Sequence, residues 1–140
     1  MHDNTPYLFV YGSLRTGFKD TAYHYLSKYF KHHGEATIKG KFYELNQLPV
    51  AIPTTEDSVI IGDIYCLHSM EEYTWAFEQL DDYEGLHVEP GETPTYKREI
   101  VTAQQNGNTL PVWVYWYNGA VHNLTPLPIN DLIKYLQQKS

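Results

Sequence analysis

Tyr7-Leu8-Phe9-Val10-Tyr11-Gly12 is the stretch of sequence that says most about the fold. Five apolar or aromatic residues follow one another without a charge and end at a glycine. A short unbroken run of this kind is typical of a central β-strand that is buried on both of its faces. We therefore expect this strand near the middle of a sheet, with the chain leaving the sheet at Gly12.

The spacing of apolar residues predicts the remaining elements on the C-terminal side of that strand. Residues 48–53 contain two prolines, which favour an edge strand or a loop over a central strand. Ser69-Met70-Glu71-Glu72 fits a capping box, so a helix is expected to begin there and to run towards Leu80. Further strands are predicted over residues 36–45, 58–67, 96–103 and 110–117, a tight turn at Asn106-Gly107, and short helices over 21–30 and 130–138.

The order of these elements, in a chain of 140 residues, indicates one domain over residues 1–140. Strands are scattered among only two or three short helices, which is typical of an α+β fold. We expect a mixed, largely antiparallel sheet that can close into a barrel, with the helices packed against it.

The composition excludes several classes of protein. The net charge is −7 and the basic residues form no run, so we expect neither nucleic acid nor a membrane as a partner. With no signal-peptide pattern and no apolar run of ~20 residues, the expected location is the cytoplasm. The single cysteine, Cys66, excludes an internal disulfide and is expected to be a buried packing thiol. The seven histidines show no metal-ligand spacing, so no metal and no cofactor are expected.

The loop after the first strand, Tyr11-Gly12-Ser13-Leu14-Arg15-Thr16-Gly17, offers one candidate site. A glycine at a strand end lets the backbone turn sharply, so that successive N–H groups converge on a carboxylate or a phosphate. The glycines have the spacing of a phosphate-binding P-loop, but Phe18-Lys19 stands where that motif needs lysine and then serine or threonine. Two interpretations stay open, an anion-binding loop and an ordinary turn at the end of a strand.

A second candidate site is the acidic run Leu80-Asp81-Asp82-Tyr83-Glu84-Gly85 at the predicted end of a helix. Three carboxylates there oppose the helix dipole, which favours cations at this end, and local conflicts of this kind are common at functional sites. A solvated acidic turn has the same pattern, so the run alone does not separate the two interpretations. A serine hydrolase is not indicated, because no Gly-x-Ser-x-Gly elbow surrounds Ser13.

Four motifs follow one another along the chain: residues 10–17, Gly62-Asp63-Ile64-Tyr65, residues 80–85, and Tyr96-Lys97-Arg98 with Val112-Trp113-Val114-Tyr115. Together they cover nearly the whole chain and resemble the gamma-glutamylcyclotransferase-like family, in particular its gamma-glutamylamine cyclotransferase (AIG2-like) branch. The resemblance implies a mixed β-barrel flanked by helices. It also implies that Glu84 is the catalytic acid/base and that substrate is bound by Tyr11, Gly12, Ser13, Leu14 and Tyr96.

The reaction that the resemblance implies is an intramolecular aminolysis. A γ-glutamyl amine or amino acid cyclises when its α-amine attacks its own γ-carbonyl, and 5-oxoproline is released without a metal or cofactor. A glutamate of ordinary pKa is a poor base for that amine, so we expect Glu84 to lie in an apolar, aromatic-lined pocket that raises its pKa.

The identity of the substrate is left open by two departures from the family pattern. Leu48-Pro49-Val50 replaces the frequent Tyr-Pro-Ala in a region that helps to shape the pocket, and Asp63 replaces a glutamate. Two other functions stay open as well. One is a non-enzymatic protein that binds a small carboxylate or amine, and the other is an enzyme that acts on γ-glutamyl cross-links. The leaving group and the oligomeric state are not predicted.

Overall fold

The computed structural model of the chain describes residues 5–12, 21–46 and 48–139. Within these ranges the elements are β1 (Tyr7–Val10), α1 (Thr21–Tyr29), β2 (Phe30–Leu45), β3 (Leu48–Pro53), β4 (Val59–Leu67), α2 (Tyr73–Tyr83), β5 (Tyr96–Gln105), β6 (Asn108–Tyr117), β7 (Thr125–Leu127) and α3 (Leu132–Lys139). A one-turn 3-10 helix, Met70–Glu72, leads into α2. None of the helices in the described ranges is long and apolar enough to cross a membrane.

The sheet closes into a barrel of five strands. Its order is β2-β4-β1-β6-β5, and β5 pairs back onto β2 where Thr37 lies opposite Gln104. Neighbouring strands are antiparallel except β1 and β6, which are parallel at Leu8 and Trp113. The strands β3 and β7 both extend the sheet by pairing with the second half of β2. This architecture, with three short α-helices in the described ranges, confirms the predicted α+β fold and its mixed, largely antiparallel sheet.

Among the described residues, the hydrophobic core forms two clusters, one on each face of the sheet. The first cluster contains side chains from all five barrel strands. In a closed sheet such side chains can meet only inside the barrel, so this cluster fills the barrel interior. It consists of Phe9, Ala36, Ile38, Phe42, Ala51, Ile60, Ile64, Ala103, Val112, Val114, Trp116 and Leu132. The second cluster lies between the outside of the sheet and the helices α1 and α2, and consists of Leu8, Val10, Leu26, Phe30, Tyr65, Leu67, Ala76, Phe77, Leu80 and Tyr115.

The first strand confirms the prediction made from its sequence. Phe9 belongs to the cluster inside the barrel, whereas Leu8 and Val10 belong to the cluster outside it. All three side chains are at most 5% exposed, so the strand is buried on both faces. Gly62 makes its close pairing with β4 possible, because a Cβ atom there would lie 2.3 Å from the backbone oxygen of Val10.

Two strands differ from the prediction. The strand β2 begins at Phe30 rather than at residue 36, because Phe30 already pairs with Leu67 of β4, and the ladder continues past a bulge between His32 and Gly34. The strand β7 was not predicted, since three residues that include a proline carry no alternation of their own. The segment Leu48–Pro53 was predicted as an edge strand or a loop, and it forms an edge strand.

The start of the second helix also differs from the predicted capping box. The Ser69 hydroxyl accepts a hydrogen bond from the N–H of Glu71 at 3.2 Å, one residue earlier than a capping box requires. The reason is that the first turn is a 3-10 turn, in which the backbone oxygen of Ser69 accepts from Glu72 instead. The apolar face is nevertheless as predicted, since Ala76, Phe77 and Leu80 are buried.

Candidate active site

A pocket of about 160 Å³ lies beside the end of β1 and contains most of the predicted site residues. Tyr11 and Gly12 come from the end of β1, Glu84 from the end of α2, and Tyr96 from the start of β5. The remaining wall is formed by Phe9, Val10, Pro49, Val50, Tyr115 and Leu132. The other two predicted binding residues, Ser13 and Leu14, lie outside the described residues.

The position of Glu84 is set by the way in which α2 ends. Glu84 is the C-cap residue, and Gly85 follows it with a φ of +79°, in the left-handed region. The N–H of Gly85 donates to the backbone oxygen of Asp82 at 3.1 Å, and the N–H of Leu86 donates to that of Asp81 at 2.9 Å. These two bonds form a Schellman motif, which closes the helix and turns the chain directly after Glu84.

Replacing Gly85 by alanine is expected to cost about 1–2 kcal/mol of stability, because an L-residue is strained at this φ. A matched control is Gly91→Ala, since Gly91 has a φ of +89° and its Cβ position is equally open. Both variants are expected to lower the midpoint of urea unfolding by a similar amount. Only Gly85→Ala is expected also to shift the titration midpoint of Glu84, followed by carbon-13 NMR. An unshifted midpoint in both variants contradicts a role for the turn in placing Glu84.

The carboxyl of Glu84 is partly buried, and its environment meets the expectation from the sequence. Burial, reinforced by the nearby charge of Asp81, raises the pKa of Glu84 to about 7. Aromatic side chains from three strands share the pocket with it, namely Phe9, Tyr11, Tyr96 and Tyr115. A carboxyl group with this pKa exchanges a proton readily at neutral pH, which is the property that an acid/base residue needs.

The three tyrosines of the pocket stay protonated at neutral pH. Burial raises the pKa of Tyr11, Tyr96 and Tyr115, and the negative charge of Glu84 raises each of them further. The hydroxyl of Tyr11 donates to the backbone oxygen of Tyr115 at 2.5 Å, so its single proton is used within the protein. The aromatic wall therefore supplies neutral surfaces, and Glu84 is the only charged residue in the described lining.

Gly12 lies in the pocket wall, and the chain bends there as predicted. The rest of the loop whose N–H groups are predicted to converge, residues 13–17, lies outside the described residues. The φ of Gly12 is outside the left-handed region, so the backbone there does not require glycine. A Cβ atom at Gly12 would make ordinary contact with Cδ2 of Leu132 at 3.7 Å. Because both residues line the pocket, an alanine at position 12 would add a methyl group to this part of the wall.

The sequence predicts some of these wall residues but not others. Pro49 and Val50 confirm that the segment around them shapes the pocket. Tyr115 and Leu132 were not identified as pocket residues. The sequence does contain a signal for Tyr115. Neighbouring residues of a strand point to opposite faces, and Val114 points into the barrel, so Tyr115 is an aromatic residue with a polar tip on the face that packs against α2. The sequence contains no such signal for Leu132, because α3 reaches the pocket only through the tertiary fold.

Two other sequence features, Asp63 and Cys66, are not part of the described pocket wall. Asp63 is buried on β4 with its carboxylate 3.3 Å from Nε2 of His32. Cys66 is only partly buried, which differs from the prediction of a buried thiol, and burial still raises its pKa. No set of three or more His, Cys, Asp or Glu side chains is arranged to bind a metal ion in the part of the chain that the structure describes.

Several solved structures have the same fold. YkqA from Bacillus subtilis is 17% identical with a TM-score of 0.64, over 96% of this chain and 43% of that one. The uncharacterized protein PH0828 from Pyrococcus horikoshii is 18% identical with a TM-score of 0.61, over 96% of both chains. An AIG2-like protein from Mus musculus is 18% identical with a TM-score of 0.61, over 86% of this chain and 82% of that one.

This chain therefore spans less than half the length of YkqA but most of the other two proteins. At these identities the likeness shows the fold alone. A comparison with curated protein sequences finds no match. The family model described as "Gamma-glutamyl cyclotransferase, AIG2-like" matches residues 8–134, which is nearly the whole chain. The chain belongs to the gamma-glutamyl cyclotransferase, AIG2-like family.

Proposed function

We propose that this chain releases 5-oxoproline from a γ-glutamyl amine or γ-glutamyl amino acid, with Glu84 as the acid/base. Membership of the family supports a cyclotransferase-type role in general terms. The observation that carries the specific proposal is one carboxyl group, Glu84, with a pKa of about 7 in a small aromatic-lined pocket. The pocket also contains Tyr11, Gly12 and Tyr96, three of the five residues for which we propose substrate binding; the other two are Ser13 and Leu14.

In the proposed reaction the substrate supplies both the nucleophile and the electrophile. Its α-amine nitrogen forms a bond to its γ-carbonyl carbon and gives a proton to the carboxylate of Glu84. The resulting carboxylic acid then protonates the leaving nitrogen, the bond between that nitrogen and the γ-carbon breaks, and Glu84 returns to its carboxylate form. The products are 5-oxoproline and a free amine or amino acid. The enzyme gains most by holding the substrate in a folded conformation, since the reaction is intramolecular.

The raised pKa of Glu84 decides whether the proton transfer is feasible. An α-ammonium group has a pKa near ~8, whereas an ordinary glutamate has one near ~4.3, and that gap corresponds to about 5 kcal/mol for complete transfer. A carboxyl with a pKa of about 7 reduces the gap to roughly 1–2 kcal/mol. The same group remains a good acid for the leaving nitrogen, so one residue can serve both steps.

The proposed position of the substrate follows the chemistry of the wall. Backbone N–H groups of the 11–14 loop bind the α-carboxylate, and Glu84 faces the α-amine. The apolar side chains of Pro49, Val50 and Leu132 suit the methylene groups of the glutamyl chain. No cation lines the described part of the pocket, so we do not propose a side-chain ion pair with the substrate.

The test is a product assay for 5-oxoproline with the purified chain and a panel of γ-glutamyl compounds. The panel contains γ-glutamyl amines, γ-glutamyl amino acids, glutathione and a γ-glutamyl cross-linked peptide, which has a large leaving group. Release of 5-oxoproline from any member supports the proposal. A thermal shift with 5-oxoproline or a γ-glutamyl compound, without turnover of any member, contradicts it and favours the binding protein instead.

A further inference from the structure

A hydrogen-bonded group beside the pocket has no part in the proposed reaction. Asp81 lies on the last turn of α2, three residues before Glu84. Its carboxylate accepts from Nε of Arg98 at 2.7 Å and from Nη2 at 3.0 Å, and the hydroxyl of Tyr115 donates to it at 2.7 Å. These residues lie 17 and 34 positions from Asp81 in the chain, so only the fold brings them together.

The pair of Asp81 and Arg98 is fixed in place and shielded from water. Their side chains are 14% and 18% exposed, so solvent screens the carboxylate only weakly. The guanidinium carbon lies 4.2 Å from the ring centre of Trp113 and 4.8 Å from that of Phe77. A bidentate bond and two aromatic faces hold Arg98 in one orientation, and Arg98 in turn holds Asp81.

The same group reaches the pocket in two ways. Through the main chain, the backbone oxygen of Asp81 accepts the Leu86 N–H that closes α2 behind Glu84. Through side chains, Tyr115 joins Asp81 to the pocket wall, because its hydroxyl binds Asp81 while its backbone oxygen accepts from Tyr11. Asp81 thus contacts both the turn that positions Glu84 and a tyrosine that shares its pocket.

We propose that Asp81 is a positioning residue for Glu84, which holds the end of α2 against the pocket and places a fixed negative charge beside the Glu84 carboxyl. Its catalytic consequence rests on the proposed function, but its effect on Glu84 does not. A negative charge one helical turn away disfavours ionisation of Glu84 and keeps it a stronger base than burial alone makes it.

The other groups that face Glu84 do not supply such a charge. Tyr11 from the end of β1, Tyr96 from β5 and Tyr115 from β6 are neutral at neutral pH. The described wall residues from β3 and α3 are apolar. Arg98 is the one cation of the group, and it lies against Asp81, to which Nε and Nη2 donate. Its Nη1 is buried and makes no hydrogen bond with the described residues.

The experiment compares Asp81→Asn with Asp82→Asn in the full chain. Both remove one negative charge from adjacent positions on the same helix. The Asp82 side chain is 74% exposed, and its carboxylate lies 3.6 Å from Nδ1 of the exposed His87. The carboxyl of Glu84 is titrated by carbon-13 NMR in protein labelled at the glutamate carboxyl carbons, and its signal is the one that Glu84→Gln removes. Asp81→Asn is expected to lower the midpoint by on the order of one pH unit, and Asp82→Asn to leave it unchanged.

A second variant keeps the inference testable if Asp81→Asn does not fold. Tyr115→Phe retains the ring and the charge of Asp81 but removes the hydroxyl that donates to Asp81. Because that hydrogen bond partly offsets the negative charge of Asp81, its loss is expected to raise the midpoint of Glu84. The inference is overturned if both aspartate variants shift the midpoint equally or not at all, or if Tyr115→Phe lowers it.

A rate measurement separates this inference from the proposed function. If the wild-type chain releases 5-oxoproline, the acid limb of its kcat profile is expected to move to lower pH in Asp81→Asn by the same amount as the NMR midpoint. A purely structural role would lower the rate without moving that limb, which would contradict the inference. If no substrate is turned over, the proposed function fails while the titration still decides the role of Asp81.

Discussion

Glu84→Gln is expected to lower kcat for 5-oxoproline release by roughly 10²–10⁴-fold, the usual contribution of a general acid/base. Glutamine has nearly the shape of glutamate but can neither take a proton from the α-amine nor give one to the leaving nitrogen. Both proposed proton transfers are therefore lost together. The pocket itself should survive, because the turn that positions this residue is made by the backbone of Asp81, Asp82 and Gly85.

A matched control for this variant is available on the same helix. Glu78 lies on the exposed side of α2, so Glu78→Gln makes the same chemical change away from the pocket and is expected to keep wild-type kcat. Binding of 5-oxoproline, followed by its thermal shift, should persist in Glu84→Gln, which separates loss of chemistry from loss of the site. Turnover by Glu84→Gln at close to the wild-type rate would rule out the acid/base role.

The same substitution is expected to stabilise the protein at alkaline pH. The pKa of Glu84 is about 7 in the folded chain, against an ordinary value of 4.5 for a glutamate. Between these two values the folded state holds the proton that the unfolded chain has already lost, so wild-type stability falls as pH rises through this window. Above pH ~7 the full cost applies, and it amounts to about 3 kcal/mol at most. Glutamine carries no such cost.

Urea unfolding of the wild type and of Glu84→Gln from about pH 5 to about pH 8 measures this difference. The two proteins should be most alike at the acid end, and the variant should become progressively more stable towards the alkaline end. Glu78→Gln, on the exposed face of α2, should follow the wild type throughout. A constant difference between wild type and Glu84→Gln at all pH values would mean that the pKa of Glu84 is not raised by folding.

Parts of the fold could be predicted because local sequence and final structure agree there. The run at residues 7–10 is apolar on both faces, and the strand is buried on both. Asn106 and Gly107 have φ values of 52° and 81°, which is the conformation that an Asn-Gly pair favours in a hairpin between two strands. The glycine at position 85 likewise ends a helix where its sequence predicts an end.

Other parts depend on contacts that are distant in the chain. The first third of β2 contains Lys31, His32 and His33, whose polar pattern does not predict a strand, and it is extended because β4 pairs with it. The pairing of β7 with β2 has the same origin. A short polar or proline-containing segment becomes a strand when a neighbouring strand pairs with it through backbone hydrogen bonds. The local sequence pattern does not predict such pairing.

The candidate site divides in the same way. Glu84 could be identified from its motif, and burial in an aromatic pocket could be required of it on chemical grounds alone. The hydrogen bonds of Asp81 to Arg98 and Tyr115 could not be predicted, because these residues are distant in the chain and no local pattern links them. The three carboxylates at the end of α2 are also not equivalent, since Asp81 is held by arginine and tyrosine whereas Asp82 is exposed.

The central claim is that folding places Glu84 in a pocket that makes it a base near neutral pH, and its titration tests this most directly. The measurement is the carbon-13 NMR titration of the Glu84 carboxyl in the wild-type chain, which needs neither a known substrate nor turnover. We expect a midpoint close to 7. A midpoint near 4.5, the ordinary value for a glutamate, would contradict the account.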